Sequence, residues 1–213
     1  MFEVILDTWA NGGIVLVPIF LAGFWGFFLV FKTQGRLGRN VSRTDLIPAF
    51  EDLGSKLEAR DEEGARKVAA KFPGVVGEGV QLFLDHRMMP ETTLRRMLEE
   101  KLAHRLFMME KHIPLIKSLA AAAPLLGLLG TVSGLIHTFR AMTDYGTGNS
   151  QLLSRGISEA LIAAQTGLLV AIVLILLGQR LEGRITWLKD QTEYGISLLL
   201  NLSTRDSVSR DTF

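Results

Sequence analysis

The sequence predicts an all-α integral membrane protein with three transmembrane helices, two of them extended into a cytoplasmic helical bundle. Three observations carry this. Residues 8–31, 118–139 and 160–179 contain no formally charged side chain, in a chain of 213 residues that is 48% hydrophobic and has a mean hydropathy of +0.27. Each stretch reaches the roughly 20 residues that an α-helix needs to cross a hydrocarbon core about 30 Å thick. Lys and Arg are crowded between the first and second stretches and after the third. The intervening polar segments carry apolar residues at helical rather than strand spacing.

Taken in order, residues 1–11 form an outer leader. Its start, "MFEVILDTW", has Glu3 and Asp7 but no basic residue and no small-residue cleavage site follows, so it reads as retained rather than as a signal peptide. The first span is placed at 12–31. Lys32, Arg36, Arg39 and Arg43 follow it directly, and this positive charge puts the 32–117 region on the cytoplasmic side. There "SRTDLIPAFEDLGSKL" spaces Leu46, Ile47, Phe50, Leu53 and Leu57 as on a helix, with Ser42 and Asp45 placed like a capping box. "DEEGARKVAAKF" reads as a second short helix and the glycine-rich "PGVVGEGVQLFLDH" as a third. Pro90 stands where a further helix begins, at its first position, and the pattern then runs without a strong stop into the second span, with kinks expected at Pro114 and Pro124.

The second span is placed at 118–139, a short outer loop at 140–155 and the third span at 156–179. No Lys or Arg lies between Arg140 and Arg155, whereas Arg180, Arg184 and Lys189 follow the third span. The N-terminus is therefore expected outside and the C-terminus in the cytoplasm, the arrangement of a multi-pass protein of a bacterial inner membrane. Leu181, Ile185, Leu188, Thr192 and Leu199 continue a single apolar face over 180–202. That segment reads as a helix projecting inward, since Asp190 and Glu193 would be disfavoured beside anionic lipid. A polar tail is expected over 203–213.

Composition excludes several classes of chemistry. Without cysteine there are no disulfides, zinc-thiolate sites or cysteine nucleophiles. A net charge of +1 gives no reason to propose nucleic-acid binding. His86, His104, His112 and His137 have no metal-ligand spacing, and "GLLGTVSG" lacks the lysine of a phosphate-binding loop. No cofactor is implied, and nothing resembles an enzyme site. "RRMLEEK" reads as a solvated helix face, and Met108 and Met109 as core filler.

The informative stretch is "PLLGLLGTVSGLIHTF". Glycine costs a helix about 1 kcal/mol relative to alanine, so Gly127, Gly130 and Gly134 need a reason. Pro124, Gly127, Thr131, Gly134 and Thr138 recur three and four apart on one face, and Gly130 with Gly134 forms a G-x-x-x-G pair, the pattern that lets membrane helices approach closely. Gly167 is a further packing position in the third span. The face is either a contact seam alone or a contact that also lines a polar passage, because it carries hydroxyls. In "SRGISEALIAAQTGLLVAIVLIL", Glu159, Ala163 and Thr166 share a stripe. A carboxylate near a bilayer faces a pore or a partner; the alternative is headgroup level, paired with Arg155. Glu159 is the best candidate for handling protons.

The two motifs "PLLGLLGTVSGLIHTF" and "GISEALIAAQTGLLVAI", flanking a short loop, resemble the MotA/TolQ/ExbB family of proton-channel subunits, and three spans match its ExbB/TolQ type better than the four-span flagellar type. The resemblance implies a homo-oligomeric ring, pentameric, with the second and third spans lining a pore and the first outside. The pore would hold single-span ExbD- or TolR-like partners bearing a membrane aspartate, and the complex would drive a TonB- or TolA-like protein with the proton motive force. It also implies that Thr131 faces the partner's aspartate and that Glu159 lies along the pore. Two departures stand out. The second threonine that the family places five residues after the glutamate is here Ala164, with Thr166 two residues beyond, and Val173 replaces a proline. A motility or gliding motor of the same family and a non-conducting scaffold are the alternatives.

Overall fold

A computed structural model of the chain describes residues 13–40, 46–146 and 150–210. Among these, every regular element is a helix: α1 (Leu16–Asn40), α2 (Ile47–Glu58), α3 (Glu62–Ala69), α4 (Gly74–His86), α5 (Glu91–Glu110), α6 (Ile113–Tyr145) and α7 (Ser150–Arg210). The outer leader and the Ser42/Asp45 capping box lie outside the described residues. Three helical stretches are long and apolar enough to cross a membrane, lying within 16–37, 91–144 and 153–201. The chain divides into two compact units, Met1–Lys32 with His112–Arg180, and Thr33–Lys111 with Leu181–Phe213.

The first unit holds the apolar parts of α1, α6 and α7. On α1 and the turn before it, Ile14, Val17, Leu21, Phe24, Phe28 and Phe31 are exposed at three- and four-residue spacing, while Leu16 and Ile19 on the other face are fully buried. Leu16 and Ile19 pack around Ala163 of α7, with Phe20, Leu126, Ile162 and Val170 at the margin. Exposed leucine and phenylalanine in such number fit lipid or a neighbouring chain rather than water.

The second unit is a bundle whose core is read along the helices: Phe50, Leu53 and Leu57; Ala65, Val68 and Ala69; Val75, Val76, Val80 and Phe83; and Leu94, Leu98, Leu102, Leu106 and Met109. Met109 fills the core as the sequence suggested, but Met108 is exposed. Asp61 caps α3 by accepting from the Gly64 amide at 2.9 Å. Arg105 donates twice to Glu78, at 2.8 and 3.1 Å, an exposed pair of α5 and α4 that contributes at most about 1 kcal/mol.

The inner part of α7 completes this core. Leu181, Ile185, Leu188, Thr192 and Leu199 are all buried, so the face read from the sequence is packed against protein. Thr192 is accommodated because its hydroxyl donates to Leu188 O at 2.7 Å. Gln191 accepts from the Leu46 amide at 3.3 Å. The Phe50 ring lies on Gly195 and is stacked at a tilt on Phe72, centroids 4.6 Å apart.

Several boundaries differ from the sequence reading. Pro90 is the cap of α5 rather than its first residue: its backbone is extended (ψ 138°) and its carbonyl accepts from Thr93 and Leu94 at 3.0 Å each. The long inward helix is interrupted at Lys111 and His112 instead of bending at Pro114. Proline has no amide hydrogen and its ring clashes with the carbonyl four residues back, here Glu110, so α5 ends at that residue and Pro114 lies in the first turn of α6. By contrast α6 runs unbroken through Pro124. The backbone of α7 remains helical to Arg210, beyond Ser203, where the sequence suggested a polar tail.

Replacing Gly195 with valine would drive its side chain into the Phe50 ring. Overpacking of this kind costs about 1–3 kcal/mol, and limited proteolysis of membranes should show faster cleavage within 46–111 for this variant than for the parent.

Candidate functional site

The glycines of α6 meet α7 of the same chain. A Cβ added at Gly134 would stand 2.8 Å from the Ala160 Cβ and 2.8 Å from Gly156 O; at Gly127, 3.1 Å from Ala163 O and 3.2 Å from the Ala164 Cα; at Gly167, 2.6 Å from Ala123 O and 3.0 Å from the Gly127 Cα. At Gly130 it would overlap the Ala163 methyl, and at Gly156 the Thr138 hydroxyl. As positions rise along α6 their partners fall along α7, so the two run antiparallel, backbone nearly against backbone. In lipid, where apolar burial favours helix association little, this close approach supplies the attraction.

The buried line on α6 is Ala120, Ala123, Gly127, Gly130, Gly134 and Thr138, a 3–4 progression that shares Gly127, Gly134 and Thr138 with the predicted face. Pro124 and Thr131 flank that line and are partly exposed. The predicted set therefore mixed the seam with one of its edges. Both faces fit a 3–4 spacing, because an apolar helix studded with small residues does not mark which of two adjacent stripes is covered.

On α7 a second stripe meets α1. Gly13 touches the Glu159 carboxyl, Gly23 packs on Val170 and Gly26 on Leu174. Positions rise together, so α1 and α7 run parallel. Glu159, Ala163, Thr166, Val170 and Leu174 follow one another at helical spacing on this side. Ala164 stands five steps from Glu159, turned about 140° away at 100° per residue. On α6, Leu126 packs toward α1 and Thr131 lies five steps on, again about 140° away.

The α6/α7 pair thus has two flanks. Glu159 and Thr166 stand on the flank covered by α1; Thr131 and Ala164 stand on the opposite one, where Gly127 rests on the Ala164 backbone one turn from Thr131. The Thr166 hydroxyl donates to Ile162 O at 2.7 Å, and its position is turned about 160° from Ala164. Thr131 donates to Leu128 O at 2.7 Å and Thr138 to Gly134 O at 2.9 Å. Such bonds to the preceding turn satisfy the hydroxyl hydrogen and leave the oxygen able to accept. Glu159 is partly exposed, and among the described residues no ion pair joins it to Arg155. The Gly13 contact could not be read from sequence, since the two residues are far apart in the chain and the only local signal was a Gly-Gly step.

Three candidate spans, a glycine seam between two of them and one acid near the outer end of the third define the described residues as those of an all-α membrane protein. Comparison with known proteins makes this specific: the model of the MotA/TolQ/ExbB proton channel family matches residues 73–193, more than half of the chain, and the chain belongs to that family. A putative biopolymer transport protein ExbB-like 1 from Synechocystis is 33% identical over 188 residues, 81% of this chain and 68% of the relative. A putative biopolymer transport protein ExbB homolog from Methanothermobacter thermautotrophicus is 28% identical over 189 residues, 86% of this chain and 65% of the relative. The Tol-Pal system protein TolQ of Haemophilus influenzae is 34% identical over 87 residues, 41% of this chain and 37% of the relative. The first two matches span about two thirds of the relatives' lengths.

Leucine at Gly134 or Gly167 would have to displace backbone, not a side-chain tip. Both variants should fall severalfold in membrane abundance in immunoblots of isolated membranes. Gly183→Ala, where nothing lies within 4 Å, should match the parent or exceed it, by up to about 1 kcal/mol of helix propensity.

Proposed function

We propose that this chain is an ExbB/TolQ-like stator subunit of the inner membrane, forming a ring that conducts protons together with a single-span ExbD- or TolR-like partner and converts the proton motive force into work on a TonB- or Tol-type envelope system. It makes and breaks no covalent bonds, so it is not an enzyme. The observation that carries the reading is the α6/α7 hairpin, whose glycine seam fixes Thr131 on the flank that α1 leaves open.

The chemistry available there suits a relay partner. With its hydrogen committed to Leu128 O, the Thr131 oxygen is an acceptor. It favours the protonated, neutral form of a carboxyl group on an approaching helix, and that form crosses a low-dielectric passage at far smaller cost than the charged one. Loss of the proton on the other side would break the contact and release the partner. One proton moving through 100 mV supplies about 2.3 kcal/mol, so substantial mechanical work takes several protons per cycle, as a rotating or cycling device provides. Glu159 contributes a carboxyl group near the outer end of α7, with the N-terminus outside and the C-terminus cytoplasmic as the Lys/Arg distribution indicates.

Gentle detergent extraction of the tagged chain from native membranes, followed by native mass spectrometry, should yield a pentameric ring carrying two small single-span proteins. A bare oligomer across several detergents would favour the non-conducting scaffold. Thr131→Val and Glu159→Gln should each lower proton-driven activity at least tenfold at unchanged membrane abundance; wild-type activity in both would exclude conduction by this route.

A further inference from the structure

The first span is where a lipid-facing wall would suffice, yet its amino end reaches the acid. Gly13 has φ +68°, a backbone conformation that residues with a Cβ rarely adopt. The place that a Cβ would take is also filled, by the Glu159 carboxyl. Two independent requirements therefore fall on one glycine. The chain enters α1 through two three-residue turns, Leu16 N donating to Gly13 O at 3.2 Å and Val17 N to Ile14 O at 3.3 Å, so Gly13 stands one turn before the helix with its Cα against the carboxyl. One turn further along, Leu16 and Ile19 pack on Ala163, and Val15, just before α1, is a neighbour of Gly130. The contact is thus held by packed helices and not by a loose end.

We propose that Gly13 is a positioning residue for Glu159: the amino end of α1 clasps the carboxyl against the α1 flank of α7, fixing the side and the depth at which the acid stands. Any larger residue at 13 would occupy the place of the carboxyl, so the Glu159 side chain must turn to another rotamer. Gly13→Asn brings no relief, because asparagine tolerates a positive φ but still carries a Cβ into the acid. The consequence for activity rests on the conduction reading above; the contact itself does not.

The absence of native cysteine makes the contact directly measurable in the full chain in its native membranes. Under mild oxidation, Gly13→Cys/Glu159→Cys should lose most of its alkylatable thiol, while Gly13→Cys/Leu161→Cys, whose second site is exposed on another side of α7, should lose little. Equal yields in the two pairs would overturn the proposal. In the second measurement, Gly13→Ala should reduce proton-driven activity about tenfold at normal abundance. Gly13→Ala/Glu159→Asp, one methylene shorter, should recover to within about twofold of Glu159→Asp alone, a rescue that a purely structural role for Gly13 would not produce. Full activity in Gly13→Ala, or a double variant well below Glu159→Asp alone, would overturn the positioning role. Were Glu159→Gln fully active, conduction through the acid would fall, and the cross-link would decide the clasp by itself.

Discussion

Close contact between the backbones of α6 and α7 is the constraint on which the membrane unit depends. Helices in lipid gain little from burying apolar surface, so they hold together only where main chains come near enough for dispersion to act over many atoms. Gly127, Gly130, Gly134, Gly156 and Gly167 allow that approach, with Ala120, Ala123, Ala160 and Ala163 filling the remaining places. Each glycine weakens its own helix by about 1 kcal/mol, which the opposing backbone offsets. Because the seam tolerates no added methyl, the rotation of each helix is fixed, and so is the side on which every other residue stands.

That fixed rotation sorts the polar groups. Thr131 and Ala164 fall on the open flank, Glu159 and Thr166 on the flank under α1, without any polar bond between the two sets. The parallel contact of α1 with α7 depends on the same logic at lower density: Gly13, Gly23 and Gly26 meet Glu159, Val170 and Leu174. There glycine receives a side chain instead of backbone, so the fit is between a groove and branched residues rather than between two main chains.

Much of this was legible in the sequence and some was not, for physical reasons. The three spans and the inner face Leu181, Ile185, Leu188, Thr192 and Leu199 were readable because contrast between apolar and charged residues marks them. Inside the bilayer that contrast disappears. On α6 every stripe is apolar or small, so the seam and its edge could not be separated, and Thr131 was grouped with glycines it only borders. Pro114 was recognised as a disruption, but proline acts on the carbonyl four residues earlier, which moved the break to Glu110. The Gly13–Glu159 contact involves tertiary proximity alone and leaves no periodic trace.

The two-flank arrangement bears on how a relay of this kind can work. Five residues separate Glu159 from Ala164, and on a helix they point about 140° apart. An acid and a hydroxyl at those positions therefore never face the same narrow space within one subunit. On the proposed route, a partner acid that visits Thr131 would do so without meeting Glu159 of the same hairpin, so the two groups would serve different steps or meet only across neighbouring subunits. Alanine at 164 then removes a second acceptor from the Thr131 flank while leaving the Glu159 flank unchanged. On the proposed route this leaves Thr131 as the hydroxyl of the open flank, because Thr138 is buried in the seam and bonded to Gly134 O.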